Sequence, residues 1–441
     1  MKATRRQFMQ TAAAAGVMLG APFVHAAAKD AKLRTALIGC GWWGKNILRE
    51  AMASGRCKVT ALCDVDSMAL EVAIDQVGDQ TSDQPKGYKD FRDLFAKEKP
   101  DIAIVATPDH WHALQGIAAV QAGANLYIEK PTAHTVNESR ALLKAARDSG
   151  SVVQVGLHRR IGPHHVSAKK FVQSGGVGQI GMARAFADSG GGKENPANNT
   201  QPPETLDWNM WCGPAPLRPF NNRLHPGGWR GFLDYANGQL GDWGVHWLDQ
   251  IAWMTEEKYP TRIFSSGGRP IRGVPVNDGK RQTTDQPDHQ VAVYEFEKFT
   301  ATWEHRLFAG NSAEKHRIGV YFYGTKGTLH VGWRDGWTFY STNPTGQIIH
   351  EKAQLQEPDG HNIKLLFADF LQAIDQKTRP VADIEPAHRS TVMALLGMAS
   401  MRAGRSLAWD GSREQIPDDP QANALLAREY RAPWQYPGVA S

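Results

Sequence analysis

The chain has 441 residues and a mass of 48.6 kDa, with 41% hydrophobic and 22% charged residues. This composition excludes a disordered, collagen-like or coiled-coil chain, and the length predicts two or three domains. The formal net charge of +5 falls to about +2 if residues 1–26, which contain three basic residues and no acid, are removed. That is too little charge to predict nucleic-acid binding.

The first 26 residues are typical of a twin-arginine export signal. Thr4-Arg5-Arg6-Gln7-Phe8-Met9 precedes an uncharged apolar stretch over 11–24, and Val24-His25-Ala26 fits a cleavage site before Ala27. The apolar stretch is shorter than the ~20 residues of a spanning helix, so we expect no stable membrane anchor. We predict export by the twin-arginine machinery and a periplasmic or otherwise exported protein. An uncleaved amphipathic helix or a lone anchor is the alternative.

From Lys32 onward, strands and helices alternate in a pattern that predicts an α/β fold. Repeated units of this length imply a doubly wound parallel sheet, and we assign residues 32–155 to a Rossmann domain. The predicted strands are 33–38, 58–63, 101–106, 125–128 and 152–155, and the predicted helices are 43–54, 67–77, 110–122 and 135–149.

Beyond Gly156 the pattern changes, and residues 156–410 are predicted to form an α+β substrate-binding domain. Its alternating strands favour an open, mostly antiparallel sheet. Residues 189–222 are rich in Gly, Pro and Asn and predict a long surface insertion, and 411–441 predict a polar tail. The predicted strands are 179–187, 261–265, 290–296, 300–307, 317–323 and 327–331, and the predicted helices are 163–174, 241–254, 362–376 and 387–403.

The four cysteines form no Cys-x-x-Cys pair, so we expect free and mostly buried thiols.

A glycine motif, Gly39-Cys40-Gly41-Trp42-Trp43-Gly44, follows the first strand and opens a helix. In this context Gly39 permits the tight turn, Gly41 lets a pyrophosphate approach the backbone and Gly44 allows close helix packing. The helix N-terminus offers free N–H groups to the phosphates. Asp64, 20 residues after Gly44, suits a carboxylate that binds the adenosine ribose, which favours NAD while leaving NADP possible. We also assign Trp42 and Trp43 to the cofactor site.

Two polar segments follow neighbouring strands of the predicted parallel sheet. Thr107-Pro108-Asp109-His110-Trp111-His112 follows one strand, and Glu129-Lys130-Pro131 follows the next. Open α/β sheets bind ligands at these carboxyl ends. We therefore predict that Thr107, Pro108, His112, Glu129 and Lys130 contact the cofactor.

Asp242 and His246 are four residues apart on a predicted helix, and Asp249 lies three residues further on. This spacing places all three side chains on one face, where a neutral imidazole can accept a proton and a carboxylate can orient it. A capped helix with a packed histidine is the alternative. We predict no metal site, because no pair among His110, His112 and His246 matches a zinc-ligand spacing.

In combination, these motifs resemble the Gfo/Idh/MocA family, named for glucose–fructose oxidoreductase and inositol dehydrogenase. The resemblance extends from about Lys32 to about Asp410 and includes Gly324-Thr325-Lys326-Gly327 and Gly404-Arg405-Ser406-Leu407. It implies NAD(P)-dependent oxidation of a sugar, polyol or sugar derivative. It also implies that Lys130, Asp242 and His246 are catalytic, with the lysine and the histidine flanking the carbon that exchanges hydride.

Two other functions remain open. Related NAD-dependent glycoside hydrolases oxidise a sugar transiently and then cleave it by elimination, although the members known to us carry a Thr-His-Gly type motif where this chain has Asp242. A non-catalytic periplasmic sugar sensor is the third possibility.

Tryptophans are concentrated in one part of the predicted substrate domain. Trp208, Trp211 and Trp229 are interpreted as a sugar-stacking surface or, alternatively, as a subunit contact in a homo-oligomer. Of these we assign Trp229 to the substrate site, together with Arg159. The basic run His158-Arg159-Arg160 is interpreted as a solvated or ligand-facing turn. The exported enzyme is expected to retain its cofactor tightly.

Overall fold

A computed structural model describes residues 32–311, 313–355 and 358–438. The predicted export signal lies outside the described residues. Within the described part, none of the helices has the length and apolar character needed to cross a membrane.

The first half of the chain forms the predicted parallel sheet. Its six strands lie in the order β3-β2-β1-β4-β5-β6, with helices between them, and residues of β4 are buried along its whole length. Short β3 and the helix after it were missed because their sequence is largely polar. The strands are β1 Leu33–Ile38, β2 Cys57–Cys63, β3 Lys86–Tyr88, β4 Ile102–Val105, β5 Asn125–Ile128 and β6 Val153–Val155; the helices are α1 Trp42–Ala53, α2 Ser67–Gln80, α3 Phe91–Glu98, α4 Asp109–Gln121 and α5 Val136–Ser149.

The second half is built around a nine-stranded sheet in which, among the described strands, only β7 and β12 pair in parallel. The prediction of an α/β chain with an open, mostly antiparallel second sheet is confirmed. The strands of this half are β7 Ile180–Asp188, β8 Ala197–Asn198, β9 Arg262–Gly268, β10 Arg281–Gln282, β11 His289–Glu295, β12 Thr300–Arg306, β13 Ile318–Gly324, β14 Gly327–Gly332, β15 Trp337–Ser341, β16 Ile349–Glu351 and β17 Leu407–Ala408. Strands β8 and β10 form a separate pair.

Helices cover one face of this sheet and join the two halves. Trp303 of β12 and Trp247 are buried together in the second core, whereas Phe367 and Phe370 pack against Tyr127 of the first. The helix that contains Phe367 and Phe370 therefore packs in the core of the first sheet. The helices are α6 Pro163–Gln173, α7 Trp208–Cys212, α8 Val245–Thr255, α9 Pro358–Gln376, α10 Ile384–Ala403 and α11 Pro420–Ala424.

The segment 189–222 is not simply a surface insertion, as its composition suggested. It contributes to a third, smaller core in which Trp208 and Trp211 stack with ring centroids 4.6 Å apart. Phe220 and Trp229 are buried in the same cluster. The apolar side chains, widely spaced among Gly, Pro and Asn, meet only in the folded chain, and for this reason no periodic pattern revealed them.

The last residues form a strap across the nucleotide-binding half. Arg428 donates hydrogen bonds to Glu138 and to the His110 carbonyl, and Trp434 packs edge-on against Trp111 with centroids 4.7 Å apart. We call residues 428–436 the C-terminal strap.

The prediction of free, buried cysteines is confirmed for all four.

Candidate active site

The glycine turn between β1 and α1 has the geometry of a phosphate-binding cradle. A Cβ on Gly39, whose φ is +94°, would lie 2.8 Å from the Ala106 backbone, and one on Gly44 would lie 2.1 Å from the Gly39 oxygen. These two positions therefore require glycine for close packing. A Cβ on Gly41 would meet no atom within 4 Å, and Gly41 lines the pocket. The open side of the turn thus lies where a phosphate can approach.

Asp64, at the end of β2, connects the cradle to the adenosine end of the pocket. It accepts hydrogen bonds from the Cys40 N–H (2.7 Å) and the Asp66 N–H (3.0 Å), and both carboxylates line the pocket. Burial raises the pKa of Asp64, although these hydrogen bonds oppose the shift. Each carboxylate oxygen has a further lone pair available to a ribose hydroxyl. Asp64 and Asp66 together would repel a 2′-phosphate.

The two tryptophans after Gly41 have different environments. Both line the pocket, but Trp42 is 73% exposed, whereas Trp43 is half-buried and packs near His158. A hydrogen bond from Trp43 partly offsets the burial that raises the pKa of Glu129. Trp43 therefore connects the glycine turn to the segment that carries Lys130.

The polar segments that follow β4 and β5 meet, but only two of the five residues predicted to contact the cofactor line the pocket. Thr107 and Pro108 line the pocket. The ring nitrogens of His112 lie 2.6 Å from the Pro131 oxygen and 2.8 Å from the Thr107 oxygen, so His112 connects the two segments rather than lining the pocket. Glu129 is likewise buried beside the pocket. Burial lowers the pKa of His112 to about 4.

Lys130 and Asp242 form the centre of the reactive cluster, although they are far apart in sequence. The Lys130 Nζ donates to Asp242 Oδ1 at 2.5 Å and to the Asp242 carbonyl at 3.1 Å, while Arg230 Nε lies 3.4 Å from the same carboxylate oxygen. Burial alone would raise the pKa of Asp242, but the two cations lower it to about 2. Asp242 is therefore an anion that fixes Lys130.

His246 lies beside this pair and is buried, with its Nδ1 lacking a hydrogen-bond partner among the described residues. Its ring centroid is 5.1 Å from that of His158. Burial lowers the pKa of His246 well below the ordinary value, and the charges of Arg159 and Lys130 lower it further. His246 is therefore neutral near physiological pH and can accept a proton.

The single helical face predicted for Asp242, His246 and Asp249 is wrong for Asp249. Leu240–Gly244 forms a π-helical turn before α8, and the Asp249 carboxylate instead binds the Arg160 guanidinium at 2.7–3.0 Å. Ser390 donates a further hydrogen bond to it at 2.7 Å. Asp249 thus anchors α8 to Arg160 and Ser390, whereas the Asp242 side chain contacts Lys130.

The basic run at 158–160 is buried rather than solvated. Arg159 is 2% exposed and lies over the rings of Trp247 and Trp243, at 4.9 and 5.6 Å. This places the predicted substrate residue Arg159 next to His246, where its charge acts on the imidazole. The run of three polar residues was misleading because the aromatic and acidic partners that bury it lie almost ninety positions later.

Three further residues of the cluster were not assigned from the sequence. Arg230 binds Asp242, His158 lies against His246, and burial raises the pKa of Asp109 to about 8 despite the nearby charges of Lys130 and Arg230. Asp109 lies within the polar segment after β4, so its position in the sequence could have identified it as a candidate site residue. Nothing in the spacing of Arg230 indicates its role.

The predicted aromatic surface is only partly available to a ligand. Trp208, Trp211 and Trp229 are 8%, 7% and 8% exposed, which fits neither a broad stacking surface nor a subunit contact. Trp211 and Trp229 nevertheless line the pocket, and the Arg230 guanidinium lies 4.2 Å above the Trp229 ring. Its assignment to the substrate site stays a prediction.

Two family models cover nearly all of this architecture. The model of the NAD-binding Rossmann fold of the oxidoreductase family matches residues 33–157, and that of the family's C-terminal alpha/beta domain matches 178–436. The chain belongs to the Gfo/Idh/MocA oxidoreductase family. Residues 33–157 are accordingly the NAD-binding domain of that family.

Individual relatives match over shorter stretches. Inositol 2-dehydrogenase of Salmonella typhimurium is 28% identical over 149 residues, which is 33% of this chain and 43% of that protein. A glycosyl hydrolase family 109 protein of Stenotrophomonas maltophilia is 33% identical over 153 residues, or 33% of this chain and 34% of that protein. The matches thus span less than half of these relatives.

The fold extends much further than the sequence matches. The structure of levoglucosan dehydrogenase in complex with NADH and levoglucosan superposes with a TM-score of 0.66 at 19% identity, over 86% of this chain and 99% of that one. At this identity the likeness concerns the fold.

Proposed function

We propose that the protein oxidises a secondary hydroxyl of a sugar, polyol or sugar derivative with NAD as hydride acceptor. The observation that carries the proposal is the contact of Lys130 with Asp242, which Arg230 joins to the pocket that the glycine cradle lines. Arg230 connects the two, because it lines the pocket and also reaches Asp242. A proton acceptor and a fixed cation thus stand at one end of the cofactor pocket.

In the oxidative direction His246 accepts the hydroxyl proton. Its lowered pKa keeps it unprotonated for this task. Lys130 stabilises the developing negative charge on the substrate oxygen, and Asp242 positions the ammonium group. When bound, the nicotinamide supplies the hydride chemistry. Asp109 is a buried carboxyl that can carry a proton near neutral pH, so it adds little negative charge to the cluster.

The residues present fit NAD at the cradle. Gly41 leaves open the side of the turn that a pyrophosphate needs, and two carboxylates, Asp64 and Asp66, line the adenosine end of the pocket. Lys89 also lines this end, but its ammonium lies 2.5 Å from Asp207. The charge balance therefore favours a ribose with two free hydroxyls over one with a 2′-phosphate.

A carbohydrate substrate is supported by the relatives, which are named for inositol and levoglucosan. The test is to incubate the mature protein and NAD with a panel of sugars and polyols and to follow NADH at 340 nm. We expect up to about one enzyme-bound NADH per chain, equal in amount to the oxidised product, and about 10²–10⁴-fold slower formation of both in Lys130→Ala. A panel that binds but yields no NADH or product would contradict the proposal.

A second candidate is hydrolysis through transient oxidation, which the match to the family 109 protein favours. In that reaction the sugar reduces the cofactor and then takes the hydride back, so no NADH accumulates. Glycoside cleavage without net NADH would therefore select the hydrolase. Sugar binding without any turnover would select a sensor.

We further propose that the protein is exported through the twin-arginine route with its cofactor enclosed. The support is the Arg5-Arg6 motif and its apolar sequel, together with the absence of cofactor regeneration outside the cytoplasm. Arg5→Lys/Arg6→Lys should keep the protein in the cytoplasmic fraction. Wild-type protein from the periplasm should retain about one nucleotide per chain after dialysis. Empty protein that turns over only with added NAD would contradict enclosure.

We also propose that the protein forms a homo-oligomer. Three apolar residues are exposed on strands of the second sheet: Phe264, Val291 and Met182. Light scattering of the purified protein should give a multiple of the chain mass, and a monomer at micromolar concentration would exclude it.

A further inference from the structure

Two directly paired glycines create a hollow on the outer face of the second sheet. Gly319 of β13 pairs with Gly332 of β14, and Tyr321 pairs with His330 two residues along the same face. Because side chains two residues apart point to one side of a sheet, the glycines leave bare backbone next to His330. Three potential metal ligands surround this hollow: His316, His330 and Asp335.

The three residues offer ligand atoms that all lie within 4.8 Å of one another. His316 Nδ1 lies 2.7 Å from Asp335 Oδ2, and the rings of His316 and His330 stack with centroids 3.6 Å apart. Donors around tetrahedral zinc, each ~2.0–2.2 Å from the ion, lie roughly 3.3–3.6 Å apart. Binding of an ion would therefore require the ligand atoms to move and the stacked imidazoles to turn so that their in-plane lone pairs point to it.

His330 is the observation that distinguishes this cluster from an ordinary surface ion pair. It is 1% exposed, and its Nε2 has no hydrogen-bond partner among the described residues. A buried imidazole nitrogen without a partner costs free energy that a metal ion would recover.

The two glycines make room for two of these three side chains. A Cβ on Gly332 would lie 1.7 Å from Asp335 Oδ1, and one on Gly319 would lie 2.8 Å from His330 Nε2. Either substitution would displace a ligand group. The hollow is therefore fitted to the imidazole and the carboxylate that occupy it.

We propose that His316, His330 and Asp335 bind a divalent zinc-class ion, with a water molecule as fourth ligand. Two imidazoles and one carboxylate suit zinc, whereas magnesium and calcium prefer oxygen ligands throughout. Lys315 is the nearby opposing charge, and its ammonium lies 3.2 Å from the Tyr340 hydroxyl. The site is separate from the cluster around Lys130 and does not depend on the proposed oxidation.

The position of the site suggests what the ion would do. Trp333, between Gly332 and the Asp335 turn, packs edge-on against Trp243 with centroids 5.3 Å apart, and Trp243 adjoins Asp242 in the chain. The Gly332 carbonyl lies 3.1 Å from His164 Nε2. A bound ion would fix this turn, and with it one wall beside the reactive cluster.

The test uses the full-length, tag-free chain dialysed against ZnSO₄ or MgCl₂, with bound metal measured by plasma mass spectrometry. We expect about one Zn²⁺ per chain and no retained Mg²⁺. His330→Gln and Asp335→Asn should lose the zinc, whereas His361→Gln, which removes an exposed histidine elsewhere, should keep it. Zinc bound equally by wild type and both ligand variants would overturn the proposal, as would wild type that retains none.

A second measurement distinguishes loss of the metal site from misfolding of the His330→Gln variant. Asp335 lies on a half-exposed turn, so Asp335→Asn should keep the wild-type circular dichroism spectrum. Zinc should slow hydrogen exchange over 330–336 in wild type and not in Asp335→Asn. Equal exchange with and without zinc in wild type would contradict binding at this turn.

Discussion

The cofactor cradle and the reactive cluster are adjacent but are held together by different forces. The cradle is made by consecutive residues from Gly39 to Gly44, and backbone conformation and close packing determine its shape. The cluster joins Lys130 to Asp242, which are 112 residues apart, and charge holds it together. Local steric rules thus build the binding site, whereas tertiary electrostatics build the chemistry. Substitutions in the two regions should therefore affect different measured quantities.

The largest effect is expected from removing the proton acceptor. His246→Ala should lower kcat by about 10²–10⁴-fold, because no other neutral imidazole would replace it at the substrate hydroxyl. NAD affinity, measured by calorimetry, should stay within a few-fold of wild type because the cradle is untouched. Turnover close to wild type would show that the cluster does not carry the chemistry.

Removing the negative charge of Asp249 should lower the free energy of unfolding. Asp249→Asn leaves the buried Arg160 without its counter-charge, and we expect a loss of about 3–5 kcal/mol in the free energy of unfolding, measured in urea. Asp148→Asn is the matched control, since its exposed pair with Lys144 should contribute less than about 1 kcal/mol. Equal losses in the two variants would refute the contrast.

A substitution in the glycine cradle should change only the affinity for NAD. Gly41→Val places a side chain on the open side of the turn, and NAD binding should weaken by about tenfold or more, which is about 1.4 kcal/mol. Gly181→Val introduces the same side chain where the backbone is equally open but far along the chain, in β7, and should leave binding unchanged. Undiminished affinity in Gly41→Val would contradict the assignment of the cradle.

The smallest effect is expected in the pH dependence of kcat. Because the pKa of His246 is lowered in the folded protein, its neutral, proton-accepting form persists as the pH falls below 6.5. The acid limb of kcat should therefore lie below pH 6.5, and His246→Ala should lose that limb. A wild-type limb centred at or above 6.5 would mean that substrate binding reverses the shift or that another group titrates.

The sequence predicted most accurately what neighbouring residues determine. The parallel strands, the glycine turn and the placement of Lys130 after β5 follow from local periodicity and turn chemistry, and the structure agrees with them within a few residues. Arg230 and the burial of Arg159 could not be inferred, because their partners lie in distant segments. The core around Trp208 was missed for the same reason.

The π-helical turn before α8 shows a second limit of the sequence. The i, i+4 spacing of Asp242 and His246 was correct, but a regular helix was assumed, and the wider turn directs Asp242 toward Lys130. Asp242 in this turn accepts a hydrogen bond from Lys130, which lies 112 positions earlier in the chain. Periodicity alone carries no information about it.

The C-terminal strap determines when the nucleotide-binding half can complete its packing during synthesis. Arg428 reaches the His110 carbonyl across 318 positions, and Trp434 packs on Trp111. These contacts form only after residues 428–434 have left the ribosome, so the Rossmann domain emerges first and waits for a segment that follows His110 by 318 positions. Such distant closure slows folding. A nascent chain truncated before residue 428 would therefore expose the surface of Trp111 that Trp434 covers.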